Sequence, residues 1–168
     1  MSGITTSLPL PYSLIDIDGM GGEHFALVFK GFAEGQDERS IQRNGILGEF
    51  AVSYSCSGMQ SSLDCDITLM HLYCFTYDLD TAWDINFNRS STAVLEHYDP
   101  ERTELIFRFD EAGKCFVKGS FRNKGDGYKS GISFDEFRTD LLYIPYILSS
   151  LGDFFDEMRR IQGHGNFM

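Results

Sequence analysis

A chain of 168 residues, 42% of them hydrophobic, is long enough for one domain with a real core and too apolar to stay disordered. Its 25 Asp and Glu against 14 Lys and Arg leave a net charge of −11, which argues against a nucleic-acid binder or a protein docked on anionic lipid, since both need cations against phosphate. No apolar run approaches the roughly 20 residues that cross a bilayer.

Residues 1–22 mix Pro, Ser and Gly and end in Asp18-Gly19-Met20-Gly21-Gly22, which reads as an irregular entry with a turn. Met1 to Tyr12 lacks the basic start and apolar centre of a secretory signal, so the expectation is a cytoplasmic protein. His24 to Phe32 alternates, with Phe25, Leu27 and Phe29 on one face, and predicts a strand. Residues 33–45 are polar and predict a loop. Phe50, Val52 and Tyr54 alternate with Glu49, Ala51 and Ser53 and predict a second strand. Ser55 to Ser62 reads as a polar break.

Asp66 to Trp83 fits two periods. Ile67, Leu69, Tyr73, Phe75, Tyr77 and Leu79 follow a strand period, while Leu69, Leu72, Phe75, Leu79 and Trp83 follow a helical one. The length, without Gly or Pro, favours a helix over about 66–81, with Asp64 or Asp66 as its cap. Four strands then follow: Thr92 to Tyr98, Glu104 to Asp110, Cys115 to Phe121 and Tyr128 to Arg138. Tyr98-Asp99-Pro100, Asp110 to Gly113 and Lys124 to Gly127 are turns between them, so they form an antiparallel meander. Ile132 and Phe134 are out of phase with Phe137, which a bulge near Asp135-Glu136 would repair.

Ile144, Ile147, Leu148, Leu151, Phe154, Phe155 and Met158 make one stripe of a helix over about 145–161. Pro145 suits its first position and Gly163 its stop, leaving 163–168 as a flexible tail. The expected fold is therefore α+β and one domain over 1–168. An antiparallel meander sheet of about six strands carries the C-terminal helix on one face. No internal repeat is evident.

Signatures of chemistry are few. Cys56, Cys65, Cys74 and Cys115 form no C-x-x-C pair, and His24, His71, His97 and His164 form no H-E-x-x-H or H-x-H set. No phosphate loop or nucleophile elbow is present. Glu96-His97 and His71 with Cys74 are the nearest approaches to an acid–base or thiol pair, and each reads more simply as surface or helix flank. The expectation is no catalysis, no cofactor and no metal.

The charge is uneven. Residues 1–100 hold 14 acidic and 4 basic side chains, a net of −10, whereas 101–168 hold 11 and 10, a net of −1. Asp78, Asp80 and Asp84 surround Trp83, with Asp64 and Asp66 upstream; carboxylates about an aromatic suit a basic protein surface. These six residues are the candidate partner-binding set. Lys114, Lys118, Arg122, Lys124 and Lys129 read as the outer face of a hairpin.

Leu69-x-x-Leu-x-x-Phe75-x-x-x-Leu79-x-x-x-Trp83 is followed by Thr92 to Glu101, Leu105 to Asp110, Gly113 to Phe121, Ile132 to Asp140 and the closing amphipathic helix. Over about residues 45–161 this order resembles WapI-type immunity proteins and related small bacterial proteins. The resemblance rests on hydrophobic spacing and turns. It implies a cytosolic protein that binds and neutralises a polymorphic toxin; it implies no catalytic residues. A nuclease toxin would present the basic surface that an acidic inhibitor fits. An adaptor or chaperone for a secreted effector is the alternative, followed by a carboxylate-dependent hydrolase.

Overall fold

The computed structural model describes residues 6–85, 89–98 and 102–162. The fold is α+β, but with two antiparallel four-stranded sheets and three helices rather than one six-stranded sheet and two. β1 (Tyr12–Asp18), β2 (His24–Phe32), β3 (Leu47–Cys56) and β4 (Met59–Thr68) form the first sheet in that order, with α1 (Glu38–Asn44) between β2 and β3. α2 (Leu69–Ile85) follows. β5 (Ser91–His97), β6 (Thr103–Phe109), β7 (Cys115–Arg122) and β8 (Gly131–Thr139) form the second sheet, and α3 (Tyr143–Gln162) ends the described chain. A four-strand meander followed by a helix thus occurs twice.

Five expectations need correction. Residues 12–18 of the supposed irregular entry are β1; a register shift between Ser13 and Ile15 buries both Leu14 and Ile15, which erases the alternation. The supposed loop 33–45 contains α1, started by a capping box in which Asp37 accepts the Ser40 N–H and the Ser40 hydroxyl accepts the Asp37 N–H. The supposed break at Ser55 to Ser62 is a hairpin, and the helix starts at Leu69, not 66. Thr68, not Asp64 or Asp66, sits at its start, and its Oγ1 accepts the His71 N–H at 3.3 Å. Finally, α3 begins two residues before Pro145. The proline still lies in the first turn, where its missing N–H has no partner to lose. The bulge near Asp135-Glu136 is present: Val117 pairs Phe137 while Gly119 pairs Phe134. Gly163 and the tail 163–168 lie outside the described residues, as do His164 and the turn residues Asp99 and Pro100.

The helices cross between the sheets. α2 leaves the first sheet and packs on β5 of the second, and its Phe75 meets Phe107 of β6 edge-on at 5.7 Å. α3 leaves the second sheet and packs on β1 of the first, and its Phe154 meets Tyr12 of β1 at 6.3 Å and Phe29 of β2 at 4.9 Å. The sheets themselves meet through Phe25 and Phe134 at 5.4 Å and Tyr54 and Phe134 at 4.4 Å. One continuous apolar core results. The ends of β1 and β8 are tied by Met20 N–H to Arg138 C=O and Thr139 Oγ1 to Asp18 C=O, both 2.8 Å.

Glu157 anchors the first described residues to α3. Its carboxylate accepts the Ser7 N–H at 2.7 Å, the Ser7 hydroxyl at 2.8 Å and the Thr6 hydroxyl at 3.3 Å, and pairs with Arg160 at 2.6 Å. Arg160 and the Ser7 bonds hold its carboxyl far below the usual range. A carboxylate depressed in the folded state stabilises fully above its unfolded value of about 4.3 and loses that contribution as pH falls below it. Wild type should therefore melt above Glu157→Gln at pH 6, and the gap should narrow as pH falls from about 4.3 towards 3. Paired thermal melts across that range check it.

Candidate protein-docking surface

The six residues singled out from the sequence do not form one patch. Asp64 and Asp66 point from β4 into ion pairs: Asp64 with Lys30 at 3.1 Å, Asp66 with Lys124 at 2.8 Å. Lys30 also holds Glu49 at 3.1 Å, so these carboxylates are largely neutralised within the sheet. Trp83 is half-buried against the core. Asp78, Asp80 and Asp84 are exposed on α2.

Leu69, Leu72, Phe75, Leu79 and Ala82 turn inward, which fixes the outer face of α2. At 100° per residue Tyr77 falls on that face with Asp80 and Asp84, three and seven residues on. Tyr77 is 67% exposed, and it is the aromatic among the carboxylates that Trp83 was expected to be. The helical period alone would have found it. No ion pair with a described cation holds Asp78, Asp80 or Asp84, and α2 contains no Lys or Arg. Partial desolvation raises the Asp78 carboxyl above its ordinary value.

This arrangement works against the helix. Asp80 and Asp84 are like charges at i and i+4, which costs about 0.2–0.5 kcal/mol. Asp84 lies in the last turn, at the negative end of the helix dipole, which costs about 0.3–1 kcal/mol. The last turn has no basic side chain to offset it.

The acid–base and thiol candidates form no site. Glu96 and His97 alternate to opposite faces of β5: Glu96 pairs with Arg102 at 3.1 Å, while buried His97 lies with Nδ1 3.2 Å from the Asp66 carbonyl. They form no acid–base pair. His71 bonds Thr68, and its ring centroid is 5.0 Å from that of His97, whereas Cys74, one turn on, is exposed. Among the described residues no three His, Cys, Asp or Glu side chains gather as metal ligands do. A groove of about 200 Å³ lies between the β3–β4 hairpin and the start of β8, lined by Tyr54, Cys56, Met59, Ser61, Ile132 and Ser133. It holds no charged side chain. No described helix is long and apolar enough to cross a membrane.

Burial pushes the thiols of Cys65 and Cys115 up to about 12. The thiolate is the reactive form, so an aromatic disulfide reagent at neutral pH should label Cys74 first, half-buried Cys56 more slowly, and Cys65 and Cys115 only after unfolding. Mass spectrometry of timed samples reads the order.

Comparison with protein-family models, with curated proteins and with solved structures finds no match to this chain.

Proposed function

We propose that this chain is an immunity-type protein that binds a toxin with a basic surface and blocks it, acting in the cytoplasm by occupancy rather than catalysis. The observation that carries the proposal is the exposed surface of α2: Asp80 and Asp84 share its outer face with exposed Tyr77, and exposed Asp78 flanks them, with no Lys or Arg on the helix and at a cost to it. A partner's cations would offset the charges that the helix itself opposes. Tyr77 gives that partner an amphipathic anchor, and the carboxylates around it speed and orient the encounter. The spacing resemblance to immunity proteins supplies the biological class. A nuclease, whose substrate surface is basic, is the target class the face fits best.

The test is recovery of a partner from the native host with the tagged chain at low and high salt, followed by assay of the partner's own activity. A stoichiometric partner that is silent when bound and released by salt supports the reading. A partner that stays fully toxic in the complex would instead fit an adaptor or chaperone and would overturn inhibition.

A further inference from the structure

We infer that the outer edge of β4 between Met59 and Asp64 is a pairing site for a second copy of this chain, giving a twofold dimer with the two β4 strands antiparallel. Backbone parity identifies the edge. Ser57 and Gly58, at φ of 52° and 79°, make the two-residue turn that closes the β3–β4 hairpin. Cys56 and Met59 are the closing pair, so the odd-numbered residues of β4 exchange hydrogen bonds with β3. Leu69 N–H to Ile46 C=O, 2.8 Å, continues the same set. The even-numbered residues therefore aim their N–H and C=O outward. The Asp66 carbonyl is reached there by the His97 ring at 3.2 Å. For Gln60, Ser62 and Asp64, no described group takes these backbone positions.

The other three edges are guarded in ways this one is not. α3 packs along β1 and α2 along β5. β8 carries a bulge with Asp135, Glu136 and Arg138 exposed on it. The far half of β4 is closed by Lys124 on Asp66 and by His97. The near half is regular, free of bulge and proline, and exposed from Met59 to Ser62. Met59 is 74% exposed.

Charge selects a second copy as the occupant. A chain of net charge −11 repels its twin over most of its surface. The edge avoids that repulsion locally, because Phe50 to Leu63 is a run without one charged residue. Antiparallel pairing through the outward groups places Ser62 opposite its own equivalent and Gln60 opposite Asp64 of the second copy. No like charges are then opposed, and each amide faces a carbonyl. The result joins the two first sheets into one of eight strands. The contact is small and its partners are both acidic, so the dimer should be weak and should strengthen with salt.

Sedimentation of the full chain over a concentration series, at low and high salt, tests it. A concentration-dependent dimer favoured by salt is expected, with slowed hydrogen exchange at the amides of Gln60, Ser62 and Asp64 in the dimer. Ser62→Pro removes an outward N–H and no bond to β3, so the variant should fold and remain monomeric. Ser62→Lys, which keeps the backbone and opposes two ammonium groups at the twofold, should do the same. A wild-type monomer up to about 1 mM at high salt would overturn the inference, as would a dimer that either folded variant leaves intact.

Discussion

Reversing Asp78, Asp80 and Asp84 together to Lys should slow association with a basic partner by about 10- to 100-fold at low salt while leaving the protein as stable as before. Each reversal adds two charges, so the net charge of −11 becomes −5, and every change falls on the exposed surface of α2. Long-range attraction acts on the encounter, and salt screens it over about 10 Å at 0.1 M, so the wild-type rate should fall with salt while the variant's rate stays nearly flat. Stopped-flow association across a salt series reads both. The stability half of the expectation follows from the helix itself. Asp84→Lys puts a cation in the last turn, which suits the dipole, and the i,i+4 repulsion between residues 80 and 84 is merely exchanged for another of the same size. Asp64→Lys is the contrasting variant. Its carboxylate already serves Lys30, so reversal should disturb the sheet and leave the association rate near that of wild type. Tyr77→Ala should act mainly on dissociation, as loss of a packed anchor does. Equal association rates for wild type and the triple variant would remove α2 from the binding surface.

What the sequence disclosed depended on whether a segment's neighbours were local. The strands of the second sheet were legible because short turns join them and each buries one face, as buried Leu105, Phe107 and Phe109 alternate with half-buried residues along β6. The α2 and α3 stripes were legible for the same reason. β4 was not, because Met59 to Ser62 projects beyond the core, exposed on both faces, and leaves no hydrophobic alternation to read. Its buried half, Leu63, Cys65 and Ile67, runs without a loop into α2, so a strand period and a helical period abut at Thr68. That juncture is the source of the double periodicity between Asp66 and Trp83. The division into two sheets was hidden because it rests on distant pairs such as Phe25 with Phe134.

The repeated topology was hidden too, since few residues carry it. Leu27-Val28-Phe29-Lys30 in β2 and Leu105-Ile106-Phe107-Arg108 in β6 occupy the second strand of each meander. Lys30 reaches over β3 to Asp64 of β4, and Arg108 reaches over β7 to Glu136 of β8 at 2.7 Å. The same charge pair thus ties strands two and four of each sheet. This also separates structural carboxylates from available ones. Asp64 and Asp66 looked alike to Asp78 and Asp84 in sequence, and only the cross-strand cations tell them apart.

Phe154→Ala should be the most damaging single truncation, at about 3–5 kcal/mol. Phe154 is fully buried and lies on α3, where it contacts Phe29, Tyr12 and Phe155 at centroid distances of 4.9, 6.3 and 5.1 Å. It therefore joins the last element of the second half to the first sheet, a contact between residues more than a hundred positions apart. Phe155 carries the connection onward to Tyr73 of α2 at 5.3 Å, edge-on. Losing the ring removes buried apolar area and leaves a cavity that three different elements would have to close. Against the 5–15 kcal/mol typical of a domain, about 3–5 kcal/mol is a large share, so a chain near the lower end would be substantially unfolded at 37 °C. Leu148→Ala on the same helix is half-buried and should cost well under half as much. Urea unfolding followed by tryptophan fluorescence, which reports on Trp83 against the same core, measures the difference. A midpoint for Phe154→Ala equal to that of Leu148→Ala would mean that the two sheets hold together without the crossed helices.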